Sequence, residues 1–408
     1  MNPLPIAATF SKDPSFWGVD FHPMALTTGY GAMVHGDDGV WYLDWVSALG
    51  ANILGYSNQE FTHRVRDQVL DGAGFSLPHI LEGQVAEKLV TMLGNHVPGW
   101  SPDGLGMRFG KSGTDATTMA VRMARAVTDR QRIISHGYHG WMDWSVAKTP
   151  PAHGVVRKGS LYISDLPFND IETLESLFVA EAGRAYNQVA AVIMEQPMDD
   201  PLLGYYDAVR RLCDEQGALL IIDEVVTWPR YGLGGACECY DIRPDIICIG
   251  KGLGNGMPIS AIVGRRDLFD WFGRDDPVFV SSTHFGEAVS LAAADAVLGI
   301  WDESKVMDLW GIGEYLMTGL QSTGLKVVGH PPRSLNQFAS KAERGYFILG
   351  MRDRGILMNR PNLPNLAHNQ DDVAKTVVAA RGIMAEMKDI DVVEAMRGRL
   401  PRVLFENR

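Results

Sequence analysis

The sequence has little cysteine, no long apolar run and no cluster of positive charge. Its 408 residues include four cysteines, at positions 213, 237, 239 and 248, too few and too clustered for a disulfide framework, which predicts a cytoplasmic location. Cys237 and Cys239 could form half of a metal site, but no partner set follows them, so no metal is expected. No signal peptide is predicted from the first residues, and the sequence shows no run of eighteen consecutive apolar residues, so no membrane association is expected. A formal net charge of −12 disfavours binding to nucleic acid.

The length and residue pattern predict an α/β protein with two domains. The chain is 46% hydrophobic, has no low-complexity tract and is too long for one ordinary core. Residues 31–48 predict a hairpin around Asp38 and Gly39, and residues 58–93 predict two helices. From about Glu303 onward, helical segments flank short strands, which predicts a smaller α+β domain.

Charged residues directly follow three apolar runs in the middle of the chain. Glu195 follows VAAVIM, Asp223 follows ALLII and Lys251 follows DIICIG, at equal intervals. Apolar runs separated by helical connections predict a parallel sheet with helices on its faces. Because α/β proteins bind ligands at the carboxyl ends of such strands, two carboxylates and an amine are expected to converge at this edge.

The segment SGTDATTMAVRMARAVTDR begins with residues suited to hold an anion. Its apolar positions recur every three or four residues, as on one face of a helix. Ser112, Gly113 and Thr114 at its start would leave backbone N–H groups beside the positive end of the helix dipole, where a phosphate fits. Taken alone, an ordinary helix cap explains this segment more simply.

Lys251 has several explanations. A P-loop requires its lysine directly before Ser or Thr, whereas Gly252 follows Lys251, so that explanation fails. A buried ion pair with Asp223 or Glu195 stays open. Partial desolvation favours the neutral amine, so Lys251 is also suited to form a Schiff base with an aldehyde.

An electron-sink cofactor with a pyridine ring would give Asp223 a role as well. Such a ring needs a carboxylate that keeps its nitrogen protonated, and Asp223 ends a buried run. Tyr138 or His139, in the stretch SHGYHGWMDW, could cover the ring face. Alone, that stretch would more often be a structural aromatic cluster.

Together these motifs resemble the class III pyridoxal-phosphate-dependent aminotransferases, in the branch similar to glutamate-1-semialdehyde 2,1-aminomutase. The matching stretches follow the family's order over most of the chain: HGDDGVWYLDW, GKSGTDATTMAVRMAR, YHGWMDW, IMEQP, LLIIDEVVTWPRYGLGGA, PDIICIGKGLGNGMPISAIVGR and STHFGEAVSLAAADAVL. The resemblance implies the fold-type-I architecture, with a mostly parallel central sheet flanked by helices. It assigns residues 55–300 to the large cofactor-binding domain, and residues 1–54 and 301–408 to the smaller α+β domain.

The resemblance also implies roles for individual residues. Lys251 would form the internal aldimine and then move the proton between the substrate and the cofactor, while Asp223 would pair with the pyridine nitrogen. The other cofactor contacts would be Ser112, Gly113 and Thr114 at the phosphate, Tyr138 stacked on the ring with His139 beside it, Val225 against the ring, and Thr283. Thr283 would reach the cofactor of the neighbouring subunit, which implies a homodimer with shared active sites.

The residues that recognise substrate in this family are only partly present. The aminomutase binds its substrate carboxylate with an N-terminal arginine, whereas the first arginine of this chain is Arg64. Glu195 matches a glutamate near the family's substrate pocket, Arg230 is retained within TWPR, and Arg360 lies near a C-terminal arginine of the family. These three are the substrate candidates. A substrate without the usual carboxylate, or with a bulky aromatic, sugar-like or nucleoside-like part, becomes a hypothesis.

The predicted function is transfer of an amino group from a small-molecule donor to an aldehyde or ketone acceptor, through pyridoxamine phosphate. One alternative keeps the cofactor and acts within a single substrate, as an aminomutase, epimerase or lyase does. A silent binding protein of the same fold is disfavoured, because Lys251 and Asp223 are retained. A nucleotide-binding enzyme that uses residues 112–114 as its anion site lacks a set of metal ligands. The identity of donor and acceptor does not follow from the sequence.

Overall fold

The computed structural model describes residues 9, 12–13, 17, 22–147, 153–156, 162–179, 188–359 and 361–398. The described residues belong to two compact units. The smaller unit draws on Met1–Gln59 and Met307–Asn407, and the larger unit draws on Glu60–Val306.

The described residues form fourteen β-strands and thirteen α-helices. The strands are β1 Leu26–Tyr30, β2 Met33–Gly36, β3 Trp41–Asp44, β4 Leu105–Gly110, β5 Arg132–His136, β6 Ile163–Asp165, β7 Val189–Glu195, β8 Leu219–Asp223, β9 Ile246–Ile249, β10 Ser260–Arg265, β11 Lys326–His330, β12 Arg333–Gln337, β13 Ile356–Leu357 and β14 Pro361–Asn362. The α-helices are α1 Gln59–Asp71, α2 Ile80–His96, α3 Gly113–Thr128, α4 Asp143–Val146, α5 Ile171–Val179, α6 Tyr205–Gln216, α7 Ala236–Cys239, α8 Arg266–Phe269, α9 Ala288–Ile300, α10 Glu303–Gln321, α11 Lys341–Asp353, α12 Gln370–Asp389 and α13 Val392–Ala395. Within the described part of the chain, none of them combines the length and the apolar composition needed to cross a bilayer.

A seven-stranded sheet forms the centre of the larger unit. Its strands lie in the order β4, β10, β9, β8, β7, β5, β6. Neighbours are parallel from β9 to β6, and β10 runs antiparallel to both β9 and β4. The predicted mostly parallel sheet is therefore confirmed, and the three apolar runs of the sequence are its adjacent strands β7, β8 and β9.

Both faces of this sheet are covered, because alternate residues of a strand point to opposite sides. Leu220 and Ile222 of β8 join a buried cluster that includes residues of α2, α6 and α9. Leu219 and Ile221 join a second cluster, built largely on α3. Two-sided burial explains why these strands read as continuous apolar runs and show no alternation.

The smaller unit contains two small sheets and the helices that pack on them. The four-stranded sheet has the order β1-β2-β3-β13, and the three-stranded sheet has the order β11-β12-β14. The predicted hairpin is present, since β2 and β3 pair antiparallel on either side of Asp38 and Gly39. Trp45 lies in the core of this unit, where its indole donates a 2.8 Å hydrogen bond to Thr376 Oγ1 and stacks on His368 at 3.9 Å.

Asp245 directly precedes β9, at the edge of the large sheet where this strand begins, and it connects β9 to the neighbouring strands β8 and β10. Its buried carboxylate accepts hydrogen bonds from Leu220 N at 2.8 Å, Arg210 Nη1 at 2.9 Å and Arg265 Nη1 at 2.7 Å. Lys251 follows the other end of the same strand. Asp245 therefore supports the sheet from the edge away from Lys251.

Asp245→Ala is expected to cost about 3 kcal/mol of unfolding free energy, because it leaves a buried N–H group and two guanidinium groups without their shared acceptor. The cost is measured as the shift in the urea unfolding midpoint. Asp214→Ala is the matched control: Asp214 pairs with the same Arg210 at 2.6 Å, but its side chain is 66% exposed, so about 1 kcal/mol or less is expected. Equal losses in the two variants would contradict the role given to Asp245.

Candidate active site

Three of the predicted residues follow one another across the carboxyl edge of the large sheet. Glu195 and Asp223 are paired residues at the ends of the parallel strands β7 and β8. Asp223 pairs in turn with Cys248 of β9, three residues before Lys251. Lys251 is half-buried and begins a 3-10 turn with φ of +37°, in the left-handed region that non-glycine residues seldom adopt. Backbone strain of this kind is concentrated at functional sites.

Asp223 is held by two protein donors in a buried position. Its Oδ2 lies 2.8 Å from Nδ1 of His139, and its Oδ1 accepts a 3.0 Å hydrogen bond from the N–H of Val225. The other ring nitrogen of His139, Nε2, lies 3.0 Å from the carbonyl oxygen of His136. Both ring nitrogens thus lie within hydrogen-bonding distance of an oxygen atom, which fixes the position of the ring beside Asp223.

Val225 lies where the three key segments meet. A β-carbon built on Gly113 would lie 2.7 Å from Cγ1 of Val225. A β-carbon built on Gly250, the residue before Lys251, would lie 3.5 Å from the same atom and 3.7 Å from the backbone nitrogen of Gly113. The missing side chain at Gly113 therefore lets the start of α3 approach Val225, and Gly250 lies next to both.

Ser112, Gly113 and Thr114, hereafter the anion cup, form the start of the sixteen-residue helix α3. Ser112 and Asp115 make a capping box, in which Asp115 N donates to Ser112 Oγ at 3.2 Å and Ser112 N donates to Asp115 Oδ2 at 2.8 Å. The N–H groups of Gly113 and Thr114 meet no acceptor among the described residues. The capping expected from the sequence is present, and two donors at the positive end of the dipole remain available for an anion.

The loop after β5 places Tyr138 close to Glu195. The N–H of Tyr138 donates to Glu195 Oε2 at 3.3 Å, and Gly137, with φ of +101°, passes so close that a β-carbon on it would lie 2.8 Å from Glu195 Cβ. The side chains of Tyr138 and Trp141 are 45% and 69% exposed. The side chain of Glu195 therefore holds the backbone of the loop that carries Tyr138.

The remaining predicted residues are placed elsewhere. Thr283 is exposed, in the turn before α9. Arg230 is fully buried, so a substrate does not reach it in this conformation. Arg360 lies outside the described residues. Among the described residues, no group of three or more His, Cys, Asp or Glu side chains is arranged to hold a metal ion.

Glu224 is a buried residue near the site that the sequence did not single out. Its carboxylate accepts hydrogen bonds from the N–H groups of Ala236 and Cys237, at 3.0 and 2.8 Å, and from the hydroxyl of Thr227. Burial raises its pKa in spite of these bonds. Glu224 closes the loop that follows Asp223, and the only sequence signal for this role is its place directly after Asp223.

The chain is similar to proteins of one known family. The family model described as aminotransferase class-III matches residues 17–330. Glutamate-1-semialdehyde 2,1-aminomutase from Anaeromyxobacter dehalogenans strain 2CP-1 is 31% identical, over 91% of this chain and 93% of the relative. The aminomutase of the same name from Thermomicrobium roseum gives the same three values.

Solved structures share the fold over nearly the whole chain. The FumI protein of Sphingopyxis sp. MTA144, solved as its PLP internal aldimine form, superposes with a TM-score of 0.82 at 27% identity and covers 95% of this chain and 94% of its own. An omega-transaminase from Sphaerobacter thermophilus superposes with a TM-score of 0.83 at 23% identity, over 93% of this chain and 94% of its own. The second likeness concerns the fold alone.

Proposed function

Since the chain belongs to the class-III aminotransferase family, we propose that it is a pyridoxal-5′-phosphate-dependent aminotransferase, which moves an amino group from a small-molecule donor to an aldehyde or ketone. The observation that carries this proposal is the meeting of three segments at Val225. These segments are the anion cup, the loop that begins at Asp223 and the turn that carries Lys251. Each of them offers one of the contacts that this cofactor requires.

The residues present fit pyridoxal phosphate. The free N–H groups of Gly113 and Thr114 suit its phosphate, and Asp223 is a buried carboxylate suited to its pyridine nitrogen. Lys251 supplies the primary amine for its aldehyde. Val225 offers an apolar surface for one ring face, and the exposed ring of Tyr138 is the candidate to cover the other.

When bound, pyridoxal phosphate supplies an aldehyde that takes up amines and a ring that accepts electrons from the substrate α-carbon. Lys251 Nζ would hold the cofactor and would also be the group that carries a proton to and from the substrate. The left-handed backbone of Lys251 fixes the direction in which its side chain starts. Lys251 is half-buried where it follows the end of β9.

Asp223 would hold the proton of the ring nitrogen. Its two hydrogen bonds, from Val225 N and at His139 Nδ1, fix the orientation of the carboxylate. The ring of His139 lies between Asp223 and the His136 carbonyl oxygen, within hydrogen-bonding distance of both. His139 is then a positioning residue for Asp223.

We propose a homodimer in which Thr283 of each subunit reaches the phosphate bound by the other. Support comes from the exposure of Thr283 and from an exposed apolar surface in the same unit. That surface consists of Val69, Leu70, Phe75, Leu77 and Ile80, each more than half exposed. Apolar surfaces of this kind mark protein contacts. The cytoplasmic location stays a prediction from the cysteine content.

For the substrate, we propose a carbonyl compound or amine with a bulky part and no carboxylate of the usual kind. Supporting this are the lack of arginine and lysine in residues 13–63 and the exposed aromatic rings of Tyr138 and Trp141. Glu195 remains the candidate that would face a substrate, while the burial of Arg230 argues for a structural role in this conformation. Arg360 stays a candidate on the sequence alone.

The decisive experiment follows labelled nitrogen. The purified protein with pyridoxal phosphate is given ¹⁵N-labelled alanine, glutamate or 1-phenylethylamine, together with unlabelled aldehyde and ketone acceptors. An aminotransferase moves the label into the acceptor, and preference for bulky acceptors without a carboxylate would support the proposed substrate class. Absence of transfer from any donor to any acceptor would overturn the proposal.

Intramolecular amino transfer is the second candidate, because the relatives that are 31% identical carry the aminomutase name. Glutamate-1-semialdehyde supplied alone tests it. An aminomutase converts this compound into its isomer without a second substrate. The proposed aminotransferase does not, because its reaction requires a separate donor and acceptor. Strong activity confined to glutamate-1-semialdehyde would replace the first proposal by the second.

A further inference from the structure

Lys111 directly precedes the anion cup, and its ammonium group is held by the start of helix α9. Nζ lies 2.6 Å from Glu287 Oε1 and 3.0 Å from Ser290 Oγ, and the side chains of Lys111 and Glu287 are only 18% and 16% exposed. Glu287 is also the N-cap of α9, where it accepts from the N–H groups of Val289 and Ser290 at 2.8 and 2.9 Å. Neither the cofactor contacts nor the substrate candidates include this pair.

The pair connects the residue before the cup to a second helix, α9. Asp115 binds the backbone of the cup, since Asp115 Oδ2 accepts from Ser112 N at 2.8 Å and from Lys111 N at 3.2 Å. The Lys111 side chain ties the same stretch of backbone to α9. Glu287 directly follows the turn that contains Thr283, so the pair joins the cup to that turn.

The ion pair between Lys111 and Glu287 is largely shielded from solvent. Burial acts to raise the pKa of Glu287, but hydrogen bonds from Lys111 and Ser290 outweigh it and lower the pKa below its usual value. The carboxylate is therefore ionised at neutral pH. Removing Lys111 would leave an uncompensated, mostly buried charge, which is far more costly than loss of an exposed pair.

We propose that Lys111 is a positioning residue for the cofactor phosphate: paired with Glu287, it fixes the N–H groups of Gly113 and Thr114 in the orientation that receives the anion. The inference rests on the proposed function, because it concerns the phosphate that the cup would bind. Donors that are already oriented bind an anion without the entropic cost of ordering them. Loss of the pair therefore weakens the part of cofactor binding that the phosphate contributes.

The test compares two ligands that differ only in the phosphate. Pyridoxamine 5′-phosphate and pyridoxamine both lack the aldehyde, so neither attaches to Lys251, and their Kd values are measured on the full-length protein by equilibrium dialysis. Lys111→Met is expected to raise the Kd of pyridoxamine phosphate about tenfold, the order of magnitude by which loss of a supporting contact weakens a bound group. The Kd of pyridoxamine is expected to change less than about twofold, since the cup does not touch it.

Two further variants separate positioning from direct attraction between Lys111 and the phosphate. Glu287→Gln weakens the pair but keeps an oxygen for the N–H groups of Val289 and Ser290, and positioning predicts weaker binding of pyridoxamine phosphate. Direct attraction predicts tighter binding, because the ammonium would be released towards the anion. Lys111→Arg keeps the charge and is expected to restore most of the affinity.

Lys88→Met is the matched control, since Lys88 Nζ lies 2.5 Å from Asp295 Oδ1 in an ion pair with the same helix α9. It is expected to leave both Kd values unchanged. The inference is overturned if Lys111→Met binds pyridoxamine phosphate normally, if it loses both ligands equally, if Lys88→Met has the same effect, or if Glu287→Gln binds more tightly. Should Lys111→Met fail to fold, Glu287→Gln and Lys111→Arg decide the question. Failure of the unaltered protein to bind pyridoxamine phosphate would instead contradict the proposed function.

Discussion

Lys251→Ala is expected to abolish covalent attachment of pyridoxal phosphate and to lower the rate of amino transfer about 10³-fold or more, the cost of removing both a nucleophile and a proton carrier. Lys251 follows β9 at the sheet edge where Glu195 and Asp223 also end their strands. Attachment is measured by borohydride reduction of the loaded protein and mass spectrometry of the peptide that contains residue 251. The rate is measured with the best donor and acceptor from the labelling experiment.

Two controls make the Lys251 result specific. Small primary amines added to Lys251→Ala should restore part of the rate, because they can replace the missing proton carrier. The Kd of pyridoxamine phosphate should change little, since the cup and Asp223 remain. A reduced adduct on another lysine of the natural protein, with none on Lys251, would show that the assignment of the anchor is wrong.

Local patterns were sufficient to predict the sheet edge. The residues of β7, β8 and β9 form continuous apolar runs because both faces of the sheet are covered, and a charged residue directly after such a run lies at the end of the strand. The start of α3 is equally local, since Ser112 and Asp115 are three residues apart and cap the helix. Such signals depend on spacings of two to four residues, which the sequence displays directly.

Contacts between distant segments could not be predicted in this way. His139 and Asp223 are 84 residues apart, and Lys111 and Glu287 are 176 apart. No local period relates them, because the order of strands in the sheet decides which loops meet. The antiparallel strand β10 was likewise missed, although it separates β9 from β4. Arg230 is a substrate candidate because of its place in a motif. It is buried in the loop between Glu224 and Ala236, whose conformation depends on the hydrogen bonds that Glu224 accepts.

Asp223→Asn is expected to lower the rate of amino transfer about 10²- to 10³-fold, the range found when one oriented electrostatic partner of a reacting group is removed. The amide keeps an oxygen for the N–H of Val225, so the loop is expected to keep its shape. It loses the negative charge that holds a proton on the pyridine nitrogen. The ring then accepts electrons less readily, and proton removal from the substrate α-carbon slows. The rate of that step is measured by exchange of the substrate α-deuterium with water.

A permanently charged ring distinguishes this electrostatic role from a structural one. A pyridoxal phosphate analogue methylated on the ring nitrogen carries its positive charge without a proton, so it should restore much of the exchange rate to Asp223→Asn. His139→Gln provides a second comparison, because it removes the imidazole beside Asp223 but leaves the carboxylate in place. Its effect should be smaller than that of Asp223→Asn, since the carboxylate keeps its charge and its hydrogen bond from Val225 N. If the methylated analogue fails in Asp223→Asn although it binds, the carboxylate acts by holding the ring in position, and the charge assigned to Asp223 is not what accelerates the reaction.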